Sequence, residues 1–212
     1  MAFANMSWDE LNQLVGFNRS EPFEKYFAPM KISEAQKRKR IELAEQLEDV
    51  MIGLLSFMFY AQQQGTIPYA DAYDRAYEEY ILILNNILNP DEYLLNHAET
   101  VLTDIISVTY RHPDEEYYYS ADRARLISEN EANSIYNYDE FQDAIDNGYH
   151  YKTWETIMDG KERESHAEVN GVTIPINDVF HLQGGDCYYP RSDELGMSDE
   201  EIVNCRCSLS YS

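Results

Sequence analysis

Residues 148–174 read GYHYKTWETIMDGKERESHAEVNGVTI, and within them the chain changes its period. Gly148 suits the left-handed position that ends a helix. After it, the aromatic and β-branched residues of Tyr149–Ile157 predict a strand, and Glu162–Val169 a short helix. Asn170-Gly171 reads as a turn into the β-branched run Val172-Thr173-Ile174. The C-terminal part is therefore a small α+β unit rich in loop.

Everything upstream is helical in pattern. Ser120 is placed to cap a helix running to about Asn137, and a shorter helix is expected from Asp139 to Gly148. Between Arg111 and Ser120, Pro113, three acids and the tyrosines Tyr117–Tyr119 interrupt the period, so the domain boundary is expected there. Ser33 with Gln36 makes a capping-box pattern. The helix it opens carries Ala44, Leu47, Met51, Leu54 and Met58 on one stripe, widened by Leu43, Val50 and Phe57, and should end near Gly65.

Pro68 suits the first turn of a second helix bearing Tyr69, Ala72, Ala76, Tyr80, Leu84 and Leu88. Asn89-Pro90-Asp91-Glu92 would open a third, with Asn89 as cap, carrying Leu94, Ala98, Leu102, Ile105 and Ile106. Ser7 and Glu10 form another capping-box pattern, with Trp8, Leu11, Leu14 and Val15 as the apolar side of a short helix. The expected fold class is α+β, mostly α. Residues 1–32 form an N-terminal arm, 33–115 an antiparallel helical bundle, and 116–212 a small C-terminal α+β domain.

Composition narrows the function classes. With 44% hydrophobic residues the chain is globular, and 39 acidic against 16 basic residues give a net charge of −23. Such a surface opposes approach to nucleic acid or anionic lipid, because phosphate binding depends on Lys and Arg. The one basic cluster, Lys37, Arg38, Lys39 and Arg40, reads as a solvated helix face between Glu34 and Glu42. The opening Met-Ala-Phe-Ala-Asn has no signal-peptide pattern, and the apolar run Val50–Ala61 is far below the roughly 20 residues of a membrane span. A cytoplasmic site of synthesis and no membrane partner are expected.

The chemistry-bearing residues form an ordered series: Arg123, Ile127, Glu131 and Ile135 on one helix, then Trp154, Asp159, Arg163 and His166. Asn170-Gly171, Tyr189-Pro190 and Asn204-Cys205-Arg206-Cys207 follow, the last within an expected terminal strand over 202–209. Ile127, Glu131 and Ile135 are four apart, which sets a carboxylate in an apolar stripe. A buried carboxylate needs donors, and Arg163, Arg206 or a loop backbone are the expected ones, giving Glu131 a structural role. His166, Cys205, Cys207 and Cys187 supply the ligand types of a tetrahedral zinc site. The same residues equally make buried free thiols beside a structural histidine, since cysteine packs as a small apolar residue. That second arrangement is the expected one, with no cofactor and zinc as the alternative. No phosphate-binding glycine loop, nucleophile elbow or paired helical histidines appear, so no enzyme is expected.

This series, over roughly residues 120–210, resembles the phage Mu F-like head morphogenesis family; Glu129, Asn130 and Cys187 depart from its usual pattern. The resemblance implies a tailed-phage or prophage minor head protein acting in capsid morphogenesis, associated with the portal inside the procapsid. Its partners would be a portal or capsid protein, with packaged DNA touched at most indirectly. Its location would be the capsid interior of the virion, and the host cytoplasm during assembly. Arg123, Glu131, Trp154, Asp159, Arg163, His166, Tyr189, Pro190, Asn204, Cys205, Arg206 and Cys207 would be motif residues of structural role, with no catalytic group. Two other classes stand as alternatives: a small toxin-like or metal-dependent effector carrying such a domain, and an acidic inhibitor mimicking DNA charge.

Overall fold

The computed structural model describes residues 6–7, 10–11, 13, 22–65 and 69–212. Met1 to Asn5, Trp8, Leu14, Val15 and Pro68, on which sequence expectations rested, lie outside the described residues. Among the described residues there are seven α-helices and five strands. These are α1 (Glu24–Phe27), α2 (Glu34–Gln63), α3 (Tyr69–Ile87), α4 (Glu92–Arg111), α5 (Ala121–Asp146), β1 (Tyr151–Glu155), α6 (Glu164–Glu168), β2 (Thr173–Pro175), β3 (Phe180–Leu182), β4 (Gly185–Cys187), α7 (Asp199–Ile202) and β5 (Ser208–Tyr211). The chain is α+β and mostly α, as its periodicity indicated. It forms two compact units: Glu42–Ser128 with the described residues up to Pro22, and Phe23–Ile41 with Glu129–Ser212.

In the first unit the apolar stripes are buried as spaced. On α2, Leu43, Ala44, Leu47, Val50, Met51, Leu54, Phe57 and Met58 are all in the core. Ala72, Ala76, Tyr80 and Leu84 of α3, four residues apart, pack toward α4, which buries Leu94, Ala98, Leu102, Ile105 and Ile106. Each large side chain so buried contributes roughly 1.5–3 kcal/mol. The cap of α4 differs from expectation: Asp91, not Asn89, takes the role, its extended backbone letting Oδ1 accept from Leu94 N at 3.0 Å. Pro90 therefore precedes the cap. Arg123 anchors the connection into α5, donating to Thr109 Oγ1 at 2.5 Å and Tyr118 O at 2.7 Å, with its guanidinium 4.9 Å from the Tyr118 ring centre. No helix among the described residues is long and apolar enough to cross a membrane.

Capping boxes form as their sequences suggest. Ser33 Oγ accepts from Gln36 N at 3.2 Å while Gln36 Oε1 accepts from Ser33 N at 2.9 Å, and Ser7 and Glu10 make the same reciprocal pair.

The second unit is built on a three-stranded antiparallel sheet of order β2-β1-β5, with β3 and β4 as a separate hairpin. Alternation along β1 turns Lys152 and Trp154 inward and leaves Tyr151 exposed. Two expectations are corrected here. The break expected near Tyr138 is absent and α5 runs on to Asp146, because Asn137, a potential breaker, uses its side chain on Pro190 O and Cys207 O rather than on its own helix. The terminal strand is Ser208–Tyr211 rather than 202–209: α7 occupies its expected start, and Asn204 turns the chain with a left-handed φ of 60°.

Candidate functional site

The Cys-x-Cys segment and the His166 helix meet inside the second unit. Short helix α6 follows a turn in which Gly160 has φ +82°, a conformation open to glycine, and in which Asp159 Oδ1 accepts from Lys161 N. Asp159 also receives Arg206 Nη2 at 2.6 Å, fastening this turn to the C-terminal segment. Behind it, Thr156 N donates to Asn170 Oδ1 and Gly171 N to Trp154 O, so the Asn170-Gly171 turn closes back on β1. Trp154 lies edge-on to the His166 ring, 5.5 Å between centres, and its Nε1 donates to Thr156 Oγ1.

His166 is 2% exposed, and its two nitrogens face different chemistry. Nδ1 is 3.6 Å from Cys205 Sγ and 3.4 Å from Cys207 Sγ. Nε2 is 2.8 Å from Glu201 Oε2, a close contact whose angle falls short of a hydrogen bond. Glu201 is itself buried and held by Ser165 Oγ at 2.9 Å and Gly184 N at 3.1 Å. The ligand atoms of His166, Cys205 and Cys207 all lie within 4.8 Å of one another.

These groups shift each other's proton affinities. The hydrogen bond from Cys207 holds the Cys205 thiol well below its usual range against the effect of burial, with His166 assisting, and Cys207, the donor, is pushed up. Burial disfavours the His166 imidazolium, yet the Cys205 sulfur and Glu201 outweigh it and its pKa is raised. Cys187, on β4, is buried and pushed up to about 12 by desolvation; it is outside the cluster.

An asparagine row on α5 holds the segment from its backbone side. Asn130 Oδ1 accepts from Asn204 N at 2.9 Å, Asn133 Nδ2 donates to Cys205 O at 3.0 Å, and Asn137 Nδ2 to Cys207 O at 3.2 Å. Arg40, read from sequence as part of a solvated face, is fully buried instead: it donates to Asn133 Oδ1 and Asn137 Oδ1 and pairs with both oxygens of Glu140. Its partners lie about a hundred positions away, which no local pattern could reveal.

The other motif residues spread around this centre. Tyr189 packs on Tyr138 and Phe141 and donates to Glu194, while Pro190 O accepts from Asn137. Arg163 Nη2 donates to Val203 O at 2.5 Å, and Glu131 is buried on α5. Arg123 belongs to the first unit. The sequence reading had not singled out Glu201, Thr156, Asn133, Asn137 or Lys152. Asn133 and Asn137 sit four apart on one helical face, a signal that was available; Glu201 sits in the run Asp199-Glu200-Glu201 with nothing to distinguish it.

A small cleft of about 30 Å³, room for one water, opens beside the cluster and is lined by Thr156, Asp159, Arg163, Asn204 and Arg206 among others.

A family model described as phage Mu protein F like protein matches residues 99–210, more than half of the chain. No curated protein and no solved structure matches.

Proposed function

The chain belongs to the phage Mu protein F-like family, which makes it a phage head protein in the broad sense, and we propose that it serves as a minor head protein in capsid morphogenesis, docked on the portal inside the procapsid. The family match over residues 99–210 is the observation that carries this reading. The mechanism is assembly by surface complementarity, with no chemical step. A net charge of −23 supports a protein partner over bare DNA, since self-repulsion from phosphate grows with every acidic side chain. The buried hydrogen bonds that fix the C-terminal segment support a surface of set shape. The virion interior, and the host cytoplasm during assembly, follow as its locations.

The test is co-expression of the full chain with the portal and major capsid proteins of the same phage, followed by size-exclusion chromatography. Co-migration with the portal oligomer is expected. Binding to the capsid protein alone would move the docking site, and binding to neither, with tight salt-sensitive affinity for duplex DNA, would overturn the proposal.

A further inference from the structure

We propose that His166, Cys205 and Cys207 bind one zinc ion through Nδ1 and the two sulfurs, with Glu201 orienting the imidazole and the adjacent cleft supplying the fourth position. Three observations carry this. First, the spacing is that of ligands around a common ion. A Zn–S distance of about 2.3 Å and a Zn–N distance of about 2.05 Å at the tetrahedral angle place sulfur and nitrogen about 3.6 Å apart. The two separations here are 3.6 and 3.4 Å.

Second, Nδ1 and the two sulfurs converge on one point in the core. When Nε2 carries the ring proton toward Glu201, Nδ1 offers a single lone pair. Both sulfurs lie within 3.6 Å of it. A cation at the convergence point engages the lone pair and both sulfurs at once, and thiolate with imidazole is a donor set that suits zinc.

Third, Glu201 occupies the place of an outer carboxylate. It lies 2.8 Å from the nitrogen away from the sulfurs and is pinned by Ser165 and Gly184, so an ion that aligns the ring would bring Nε2–H into a hydrogen bond with it and leave the Nδ1 lone pair facing inward. No further His, Cys, Asp or Glu joins the group among the described residues, so the fourth ligand is water or an incoming group in the cleft. This goes beyond the sequence expectation of plain buried thiols, and it is independent of the portal proposal.

The full chain, purified in reducing buffer and stripped of metal, is titrated with zinc against a chromophoric chelator and, separately, with cobalt. One equivalent of each is expected, with the cobalt spectrum showing tetrahedral and thiolate charge-transfer bands. Cys205→Ser and Cys207→Ser should lose the charge-transfer bands in whole or part while Cys187→Ser keeps them. Glu201→Gln should keep the stoichiometry and bind about 10–100-fold more weakly. A wild-type chain that takes up no zinc at micromolar concentration, or whose cobalt spectrum lacks thiolate bands, would overturn the proposal even if the cysteine variants fold poorly. Loss of metal in Cys187→Ser with retention in Cys205→Ser would do the same.

Discussion

Lys152→Met should stabilise the protein at neutral pH. Lys152 is fully buried on the inner face of β1, and its Nζ has no hydrogen-bond partner among the described residues. The ring centres of Phe141, Tyr188 and Phe180 surround it at 4.7, 5.4 and 5.6 Å. Burial pushes its pKa down from an ordinary 10.5 to about 8, against the opposite pull of Cys187 and Asp178. At about 1.36 kcal/mol per pH unit, that depression means the fold disfavours the ammonium by up to about 3 kcal/mol. Solvent screening and the three cation–π contacts offset about half, leaving a gain of about 1–2 kcal/mol for the nearly isosteric methionine. The sign follows from proton binding: between pH 8 and 10.5 the unfolded chain holds the lysine proton and the folded chain does not, so wild-type stability rises with pH through that window. The methionine variant lacks this rise. Urea unfolding followed by Trp154 fluorescence, at pH 7 and pH 10, should show an advantage for the variant at pH 7 that shrinks or vanishes at pH 10. A variant less stable than wild type at pH 7, or an advantage unchanged at pH 10, would refute the reasoning and show the aromatic cage to hold the ammonium favourably.

Burial and the neighbouring Asp143 push the Asp139 carboxyl up to about 6, so its charge costs stability fully above that pH and the cost fades as pH falls toward 4. Asp139→Asn should then gain on the order of 1 kcal/mol at pH 7, after screening, and nothing at pH 4, as read from urea midpoints. Asn137→Ala removes donors to Pro190 O and Cys207 O and an acceptor for Arg40, and should cost about 2–4 kcal/mol; a loss under 1 kcal/mol would mean water replaces the amide. Asn133→Ala shares the Arg40 partner, so the double variant should cost less than the two single losses added together. Deletion of residues 203–212 removes Cys205, Cys207, Leu209 and all of β5, and should abolish the cooperative Trp154 transition; a truncated chain that keeps it would show that β1 does not depend on β5.

Apart from the break expected in α5, periodicity was enough for the long helices and for the change to strands after Gly148, because each such pattern is set by the next turn or the next residue but one. The inward face of β1 was legible in the same way: Lys152 and Trp154 are two apart, so a buried tryptophan carries the lysine into the core with it. The true cap of α4 at Asp91 depended on which of two acceptors, Asn89 or Asp91, faced the helix, a choice among near-equals. Arg40, Asn133, Asn137 and Glu201 were illegible for another reason. Their partners are 17 to about 100 positions distant in the chain, and a charged or amide side chain looks solvated until the fold brings a partner to it.

The distribution of polar groups on α5 bears on what the second unit is for. Glu129, Asn130, Glu131, Asn133, Ser134 and Asn137 are all buried on a helix that its composition alone would place at a surface. The segment that Asn130, Asn133, Ser134 and Asn137 bond, 188–207, has little regular structure, so its buried carbonyls lack strand partners and must find donors elsewhere. Asn133 and Asn137 are those donors. Arg40 occupies their amide oxygens and so turns their NH₂ groups toward the carbonyls of Cys205 and Cys207. With the carbonyls drawn toward α5, the side chains of Cys205 and Cys207 are free to converge on His166, and one row of amides fixes both the loop and the thiol pair. A loop held this way is ordered before it meets a partner, and docking then carries a smaller entropic penalty than ordering it on contact would. That is the property the proposed docking by surface complementarity requires.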